Sequence, residues 1–494
     1  MPPPGADPPG RSPVSFLLLS AVVAALFGGL LLYSQTAAFA WDEGFHLLAA
    51  QLIRAGKRPY LDFCYPQAPL YAWWNAAWMR LLGDTWRAAH LLSAAATAGA
   101  VLLAADFLLA RFPIAAWRTA SAIAAALLVG LNCMVVEFGA VGQAYGLCLL
   151  LLVAAFRVSI PAVASKRLLP SAAAGFLASA AAAASLLTAA AAPVLLLWIL
   201  LHDRTEKRWI KLAAFLAGAA VPWLPVAWLL VKAPGAVFFN LIGYQLRYRR
   251  TNWEDATPHD LAVLASWTRS PQALVLGLLA ASGLWFIVRR SGWDRARRAE
   301  FYLCGWLALA LAAELGATHP TFERYFIFVV PFLAILAAVG LYALASRMHG
   351  RAWPVAILAI VLSLGLARSL YGERHELAWR DLEAVARKVN EVTPAQGTLW
   401  ADEHFYFLTK RPPPEGMEFS YAQVIDIPAE AAGPLHIVNQ WELVRQAEAG
   451  RFGTVATCEA EPEIDEMGLP QLYLHRATIA SCSVFWGRKA APAP

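Results

Sequence analysis

The sequence predicts an α-helical protein that crosses a membrane about eleven times and ends in a small α/β domain. Of its 494 residues, 59% are hydrophobic and 15% are charged, whereas soluble domains carry about 25% charged residues. Several apolar runs of about 18 or more residues, such as 14–33 and 325–345, are long enough to cross a bilayer as helices. The membrane is therefore the expected solvent for most of the chain.

Apolar runs separated by polar interruptions define the predicted spans. They are residues 14–34, 88–110, 118–134, 143–160, 168–186, 188–202, 211–231, 271–289, 299–316, 325–346 and 352–370. The Ala-rich stretch 168–201 admits two interpretations, a tight hairpin of two helices around Thr188 or one long tilted helix. The second interpretation would move every later loop to the other side of the membrane.

The positions of the basic residues favour the hairpin. With the N-terminus inside, the predicted inner loops contain residues such as Arg157, Arg204 and Lys207, whereas the short outer loops near 132–143 and near Thr188 contain none. Lys and Arg collect on the cytoplasmic side of membrane proteins. The C-terminal region is therefore predicted to lie outside.

Three outer segments are long, namely 41–87, 233–270 and everything after Tyr371. The first two contain aromatic-rich amphipathic pieces, which are expected to lie in the plane of the membrane interface. Residues 371–494 alternate helix-like and strand-like runs, which predicts a small extracytoplasmic α/β domain. Residues 1–370 are then a transmembrane module.

Composition and motifs exclude several classes of function. The net charge of +6 does not indicate nucleic-acid binding, because basic loops are what orients a membrane protein. Motifs of the GxxxxGK[ST], HExxH and GxSxG kinds are absent from the sequence, so nucleotide hydrolysis, zinc proteolysis and lipase chemistry lack support. Cys458 and Cys482 lie in the polar C-terminal region and would pair only in an oxidising compartment.

An acidic pair, Asp42-Glu43, follows the first span at its predicted outer end. One interpretation is that the pair caps the positive N-terminus of an amphipathic helix over about 44–54. Another is that a partly desolvated carboxylate meets whatever a membrane lipid presents. A divalent cation held by Asp42, Glu43 and His46 is a further alternative, although a single His on an interfacial helix is usually a packing or hydrogen-bonding residue.

The loop that follows the acidic pair carries the most specific pattern in the chain. It has an amphipathic helix, a G-x-x-P-Y-x-D-F turn, a Pro-containing segment before another helix, and a Gly before the second span. In these features it resembles the first outer loop of the C-type glycosyltransferases, in particular the protein mannosyltransferase and aminoarabinose transferase-like families. The matching residues are Asp42, Glu43, Gly56, Pro59, Tyr60, Asp62, Phe63, Pro69, Leu70, Tyr71 and Gly83.

This resemblance implies an integral membrane glycosyltransferase that moves a hexosyl or pentosyl group from a polyprenyl-phosphate carrier to an acceptor at the outer face. The acceptor, whether lipid, polysaccharide or protein, stays open, and the expected location is the inner (plasma) membrane. The family's catalytic base is the Asp of the pair, which gives that role to Asp42 and a supporting role to Glu43. A phosphate leaving group needs no second carboxylic acid to protonate it, so one base and some cations are enough for an inverting transfer.

The cations expected at the phosphate are arginines, because the guanidinium fork binds phosphate oxygens in pairs. The candidates are Arg247, Arg249 and Arg250 in the second long outer loop, Arg324 at the mouth of the tenth span, and Lys57 in the first loop. Contact with lipid headgroups is an alternative role for the loop arginines, and pairing with Glu323 is one for Arg324.

Two further residues complete the predicted site. Glu137 falls near the outer end of the third span and is expected on the same side as Asp42. An acidic residue in the membrane is costly, which makes it a functional candidate, and the resemblance leaves open whether it binds the acceptor or a metal. Tyr60 belongs to the matched turn.

Two other functions fit a polytopic protein. A transporter or lipid flippase would favour repeated halves and interrupted helices, whereas this chain has long one-sided loops and no internal repeat. A catalytically silent protein that binds the carrier lipid is the other alternative. It differs from the enzyme in whether Asp42 and the outer arginines share one cavity.

Overall fold

Helices occupy all the apolar runs that the sequence predicts to cross the membrane. The structure is a computed structural model that describes residues 13–253, 255–289, 292–346, 348, 350–372, 374, 376–425 and 427–489, without the side chains of residues 250–252 and 429. The helices of the first 372 residues are α1 (Pro13–Thr36), α2 (Glu43–Arg54), α3 (Leu70–Leu82), α4 (Trp86–Arg111), α5 (Arg118–Gly130), α6 (Cys133–Gly139), α7 (Tyr145–Ala162), α8 (Leu169–Ala184), α9 (Ala191–His202), α10 (Arg208–Ala220), α11 (Leu224–Lys232), α12 (Pro234–Phe238), α13 (Tyr244–Asn252), α14 (Thr257–Arg269), α15 (Pro271–Arg289), α16 (Arg295–Gly316), α17 (Val330–Ala345) and α18 (Ala352–Gly372).

Eight helical segments in the described part of the chain are long and apolar enough to cross a membrane, so the chain is a multi-pass membrane protein. They are Pro13–Thr36, Trp86–Arg111, Tyr145–Ala162, Arg208–Lys232, Pro271–Arg289, Arg295–Gly316, Glu323–Ala345 and Ala352–Gly372. The third predicted span is a pair of helices, Ala115–Gly130 and Cys133–Gly139, bent by 58°. The fifth and sixth are shorter apolar helices, so the predicted total of eleven stays a prediction.

The Ala-rich stretch forms two helices rather than one long helix. The chain leaves α8 at Ser185, whose φ of −154° and ψ of 120° are extended, and re-enters a helix at Leu186–Thr188 and then α9. Its small residues allow close packing, since a Cβ on Gly175 of α8 would lie 2.1 Å from the Phe215 carbonyl oxygen of α10. Small residues bring membrane helices together in this way.

The C-terminal region packs against the start of α2 and the start of α4. The Trp379 ring stacks on Trp86 with centroids 5.5 Å apart, and Trp379 Nε1 donates to Glu43 Oε1 at 3.4 Å. The first loop and the C-terminal region therefore lie on the same side of the membrane, which requires an even number of crossings between them. Because the first loop follows the first span, the total number of spans must then be odd. The nine spans obtained by counting the bent pair once and the predicted eleven both meet this condition.

The C-terminal region is a small α/β domain, as the sequence predicts. Its elements are α19 (Trp379–Val392), β1 (Leu399–Ala401), α20 (Glu403–Thr409), α21 (Ala429–Ala432), α22 (Gln440–Glu448), β2 (Thr454–Thr457), α23 (Glu461–Glu466), α24 (Leu469–Leu472), β3 (Tyr473–Ile479) and β4 (Cys482–Arg488). The sheet order is β1-β2-β4-β3, with β1 parallel to β2 and the other pairs antiparallel. Cys458 and Cys482 form a disulfide, which joins the end of β2 to the start of β4.

Candidate active site

Asp42 stands at the turn between α1 and α2. It occupies the position before the first residue of α2, yet its side chain makes no capping hydrogen bond. Its carboxylate instead meets Arg324, whose Nη2 lies 2.9 Å from Oδ2. Both side chains are about three-tenths exposed, at 31% for Asp42 and 28% for Arg324, so a ligand can reach the pair.

Arg324 is held in place from several sides. It lies on the 3-10 helix Glu323–Val329 that leads into α17, with its guanidinium carbon 4.5 Å from the centre of the Phe322 ring. It also hydrogen-bonds to the side chain of Tyr145. Among the described residues, none accepts a hydrogen bond from its buried Nε. The guanidinium therefore keeps donor capacity beyond its bond to Asp42.

The loop before Arg324 is fixed to α14 by one carboxylate. Asp260 accepts hydrogen bonds from the Thr321 backbone N–H at 2.8 Å and from His319 Nδ1 at 2.6 Å. His259 Nε2 lies 3.0 Å from the Thr321 carbonyl oxygen. This clamp sets where the chain enters the 3-10 helix and thus where Arg324 points.

A cavity of about 540 Å³ contains Asp42, Arg324 and Glu137 together. Glu137 comes from α6, and its Oε1 accepts a hydrogen bond from Ser369 Oγ of α18 at 2.8 Å. Gln143 also lines the cavity, and its Nε2 is buried with no hydrogen-bond partner among the described residues. Of the predicted site residues, Asp42, Arg324 and Glu137 thus lie in one cavity together with the side-chain amide of Gln143.

Glu43 plays a different part from its neighbour, because its side chain is fully buried. Its Oε1 accepts from the Ala40 backbone N–H at 2.7 Å. Its Oε2 accepts from the Gly142 backbone N–H at 2.7 Å and lies 2.5 Å from His90 Nε2. Glu43 therefore ties the first loop to α4, to the segment after α6 and, through Trp379, to the C-terminal domain.

The Glu43–His90 contact needs one shared proton. His90 Nδ1 lies 2.5 Å from the Ser34 carbonyl oxygen, which only accepts, so Nδ1 carries a hydrogen. The contact between Nε2 and the Glu43 carboxyl then needs a second proton, on one partner or the other. The contact is therefore a buried hydrogen bond between the two side chains, on a carboxyl that also accepts from the backbone N–H groups of Ala40 and Gly142.

The residues proposed for a divalent cation do not fit that role. His46 Nδ1 lies 2.8 Å from the Tyr65 hydroxyl, and burial lowers the pKa of His46 to about 3. Both oxygens of Glu43 already serve backbone N–H groups, Trp379 and His90. Within the described residues, no three His, Cys, Asp or Glu side chains form a metal-binding group.

Arg247 and Arg249 of the second long loop are not among the described residues that line the cavity of Asp42. Arg247 is exposed, with its guanidinium carbon 5.7 Å from the centre of the Phe239 ring. Arg249 is half-buried and near enough to Tyr325 for its charge to act on that side chain. The side chain of Arg250 falls outside the described part of the structure.

The matched turn of the first loop shapes the loop itself. Tyr60 is buried with a φ of 69°, and its hydroxyl donates to the Gln67 carbonyl oxygen at 2.6 Å. Arg58 Nη2 lies 2.8 Å from Asp62 Oδ1, and this bond lowers the pKa of Asp62. Lys57 is exposed beside this turn and does not line the cavity.

Sequence reasoning missed three residues of the site. His90 is an ionisable side chain within an apolar span, and that position was a usable signal. Gln143 was noted only as the end of a short loop. Trp379 carried no signal, because nothing in the sequence relates it to a carboxylate 336 residues away.

No family model and no curated protein matches this chain, but solved structures do. ArnT from Cupriavidus metallidurans bound to undecaprenyl phosphate matches with a TM-score of 0.71 and 15% identity, covering 95% of this chain and 97% of that one. Its apo state matches with a TM-score of 0.68, 15% identity and the same 95% and 97% coverage. The apo oligosaccharyltransferase of Archaeoglobus fulgidus matches with a TM-score of 0.55 and 12% identity, over 91% of this chain and 70% of that one. The fold is therefore that of the C-type glycosyltransferases, which the first loop predicted.

Proposed function

With the C-type glycosyltransferase fold as the premise, we propose that this chain transfers a sugar from a polyprenyl-phosphate carrier to an acceptor. The observation that carries the proposal is the contact of 2.9 Å between Asp42 and Arg324 inside one cavity. A base and a phosphate-binding cation must both reach the same sugar phosphate. The similar ArnT structure holds undecaprenyl phosphate, which makes this class of lipid the proposed carrier.

In the proposed reaction Asp42 is the general base. The acceptor hydroxyl gives its proton to the Asp42 carboxylate while its oxygen bonds to the anomeric carbon of the donor sugar. The bond between that carbon and the phosphate oxygen breaks, and polyprenyl phosphate leaves with the electron pair. Attack opposite the leaving group inverts the configuration at the anomeric carbon.

Arg324 binds the donor phosphate in this scheme. Its Nε has no protein partner among the described residues, and a guanidinium forms paired, charge-assisted hydrogen bonds with phosphate oxygens. The phosphate and Asp42 compete for the same cation, so donor binding releases the carboxylate for the acceptor. The negative charge that develops on the leaving phosphate is stabilised where it forms.

Glu137 and Gln143 are proposed to hold the transferred sugar. Both line the cavity of Arg324, and the unpaired Gln143 Nε2 can donate to a sugar hydroxyl. The carboxylate of Glu137 can accept from one. This pair binds hydroxyls that hexoses and pentoses share, so both classes of sugar stay within the proposal.

The lipid tail has a matching groove along the membrane helices. A cavity of about 450 Å³ runs between α15, α16 and α17 and is lined by small and aliphatic residues such as Gly277, Gly305 and Ala308. It includes Phe326, two residues after Arg324. A polyprenyl chain is a purely apolar ligand, and we propose that its tail lies here while its phosphate binds Arg324.

The other predicted donor-binding residues lie in the outer loops. Arg247, Arg249 and Arg250 lie on one helix, α13, and Arg249 is near Tyr325. We assign the α13 arginines to the carrier phosphate or the lipid headgroups during entry. Lys57 and Tyr60 support the loop that the donor must pass.

The active site is proposed to face outward from the inner (plasma) membrane. Helix α4 begins beside the site at Trp86 and ends at Arg111, which pairs with Glu300. The loops that carry Lys166 and Arg204 meet at the same end, where the Arg204 N–H donates to the Val163 carbonyl oxygen at 3.0 Å. Basic loops stay in the cytoplasm, which supports an outer position for Asp42.

Purified chain in lipid nanodiscs, supplied with radiolabelled polyprenyl-phosphate sugars and envelope lipids, tests the proposal. We expect release of polyprenyl phosphate and labelled product, and a loss of about 100-fold or more in turnover for Asp42→Asn. Asp465→Asn, an exposed carboxylate of the C-terminal domain, is the matched control. Full turnover by Asp42→Asn would show that Asp42 is not the general base. Solute transport by reconstituted vesicles without any glycosyl transfer would support a transporter instead.

A further inference from the structure

A second cavity, of about 500 Å³, lies on the other side of Trp41. The first loop contributes Trp41, α13 contributes Tyr248, and the C-terminal domain contributes the rest of the wall. Trp41 also lines the donor cavity and directly precedes Asp42. The two cavities therefore share Trp41, the residue next to the proposed base.

The walls of this second cavity are acidic. Asp402, Glu403 and Glu459 line it, and no Lys or Arg is among its described lining residues. Loss of water around the carboxyl, reinforced by the charges of Glu403 and Glu459, raises the pKa of Asp402 to about 8. Asp402 is then a hydrogen-bond donor at neutral pH, while its neighbours keep the cavity unfavourable for a phosphate.

Aromatic side chains provide the other surfaces. Trp41 is 42% exposed, and its ring meets His404 edge-on with centroids 5.4 Å apart. Burial lowers the pKa of His404 to about 4, so this ring is neutral and adds no positive charge. The apolar C–H faces of a sugar pack on such rings, and an ammonium group is attracted to them.

An unpaired amide shows that the cavity is built for a polar ligand. Gln423 lines it and is 9% exposed, and its Nε2 has no hydrogen-bond partner among the described residues. A buried donor without a partner costs about 1–3 kcal/mol. A ligand hydroxyl in the cavity would accept this hydrogen bond.

The charge of Asp42 reaches this side of Trp41. It raises the pKa of Tyr421, after the larger effect of burial, and it contributes to the raised pKa of Glu403. Both residues line the second cavity. A hydroxyl presented from this cavity would therefore lie near the proposed base, and an inverting transfer requires that it attack the anomeric carbon opposite the leaving phosphate.

We propose that the second cavity binds the acceptor and selects a neutral or amine-bearing sugar over a phosphorylated one. That the bound sugar is the acceptor rests on the proposed function. The selectivity of the cavity does not depend on catalysis. Gln423 and the protonated Asp402 donate to sugar hydroxyls, and Glu403 and Glu459 accept from hydroxyl or ammonium groups. Trp41 and Tyr421 cover the sugar faces.

Binding of sugar probes to the full chain tests the proposed selectivity. The chain is held in lipid nanodiscs because a sugar-headed solubilising detergent would compete with the probes. The probes are octyl glucoside, octyl glucosaminide and octyl glucoside 6-phosphate, followed by tryptophan fluorescence and calorimetry at pH 7. We expect the first two to bind at least about tenfold more tightly than the third, and Gln423→Leu to weaken them about tenfold, as loss of one hydrogen bond predicts. Gln471→Leu, on the exposed surface of the same domain, should leave binding unchanged.

The inference is overturned if wild type binds the phosphorylated probe most tightly or does not bind the other two. This comparison uses wild type alone, so it holds even if Gln423→Leu does not fold. Equal binding by wild type and a folded Gln423→Leu also overturns it. Asp42→Asn should keep the binding and lose the transfer. Failure of the proposed function would appear separately, as absence of donor cleavage in wild-type chain that still binds the sugars.

Discussion

Arg324 and Asp42 are 282 residues apart in the chain, yet Nη2 and Oδ2 lie 2.9 Å apart. The pair joins the end of the first span to the start of the helical segment Glu323–Ala345. It is also the contact that favours the proposed enzyme over a silent lipid-binding protein, because it puts the proposed base and the proposed phosphate-binding cation in one cavity.

Arg324→Lys should raise the KM for the lipid donor by about tenfold and Arg324→Ala by about 100-fold, because lysine keeps the charge but loses the fork. Initial rates against donor concentration, at saturating acceptor, measure this. Arg269→Lys, an exposed arginine at the end of α14, is the control. An unchanged donor KM in Arg324→Ala would mean that the phosphate binds elsewhere.

His90→Phe should lower the free energy of unfolding by about 1–3 kcal/mol, because it leaves the buried Glu43 Oε2 without its hydrogen bond to His90. His90→Gln can still donate to Glu43 and should lose less. Chemical unfolding in detergent reports the difference, and protease release of the C-terminal domain reports the loosened loop. Equal stability of the Phe and Gln variants would contradict a stabilising role for this hydrogen bond.

Ala308→Phe should fill the groove between α15, α16 and α17 and raise the KM for a long-chain donor several-fold. A donor with only two isoprene units places less of its tail in the groove, so its KM should rise less. The comparison of the two donors in one variant corrects for any general loss of activity. The same increase for both donors would place the tail elsewhere.

Asp402→Asn should change how stability depends on pH. The folded chain holds the Asp402 proton up to a pKa of about 8, whereas the unfolded chain releases it near about 4. The folded state of wild type therefore loses stability as pH rises between these values, by up to about 1.4 kcal/mol per pH unit.

The Asn variant lacks this dependence, so its advantage over wild type should grow from pH 5 to pH 8 and then level off. Thermal unfolding in a phosphate-free buffer series measures it, with Asp465→Asn as the control. A constant difference between wild type and Asp402→Asn at pH 5 and pH 8 would show that the carboxyl titrates normally.

The fold was largely predictable because the bilayer imposes simple rules on the sequence. Apolar runs of suitable length coincide with α1, α4 and α7, and the break at Ser185 falls within the stretch where the charges favoured a hairpin. The bent pair α5 and α6 was not foreseen, since its composition equals that of a straight span. Its bend carries Glu137 into the cavity.

The site was predictable where residues are neighbours in sequence and obscure where they are not. Asp42 was indicated by its place at the end of a span and by the loop after it. The contact of Glu43 with His90 spans 47 residues and depends on how two helices face each other, which periodicity does not specify. Arg324 was one of four candidate arginines, and only its distance to Asp42 distinguishes it.

The first loop makes stabilising contacts with residues that are synthesised late in translation. Trp379 donates to Glu43, and the His404 ring lies so close to Gly44 that a Cβ there would be 2.6 Å from it. Every span must therefore be made, and synthesis must pass residue 404, before the loop beside Asp42 has these contacts. A half-made chain already embedded in the membrane lacks them, so the proposed site is complete only late in translation.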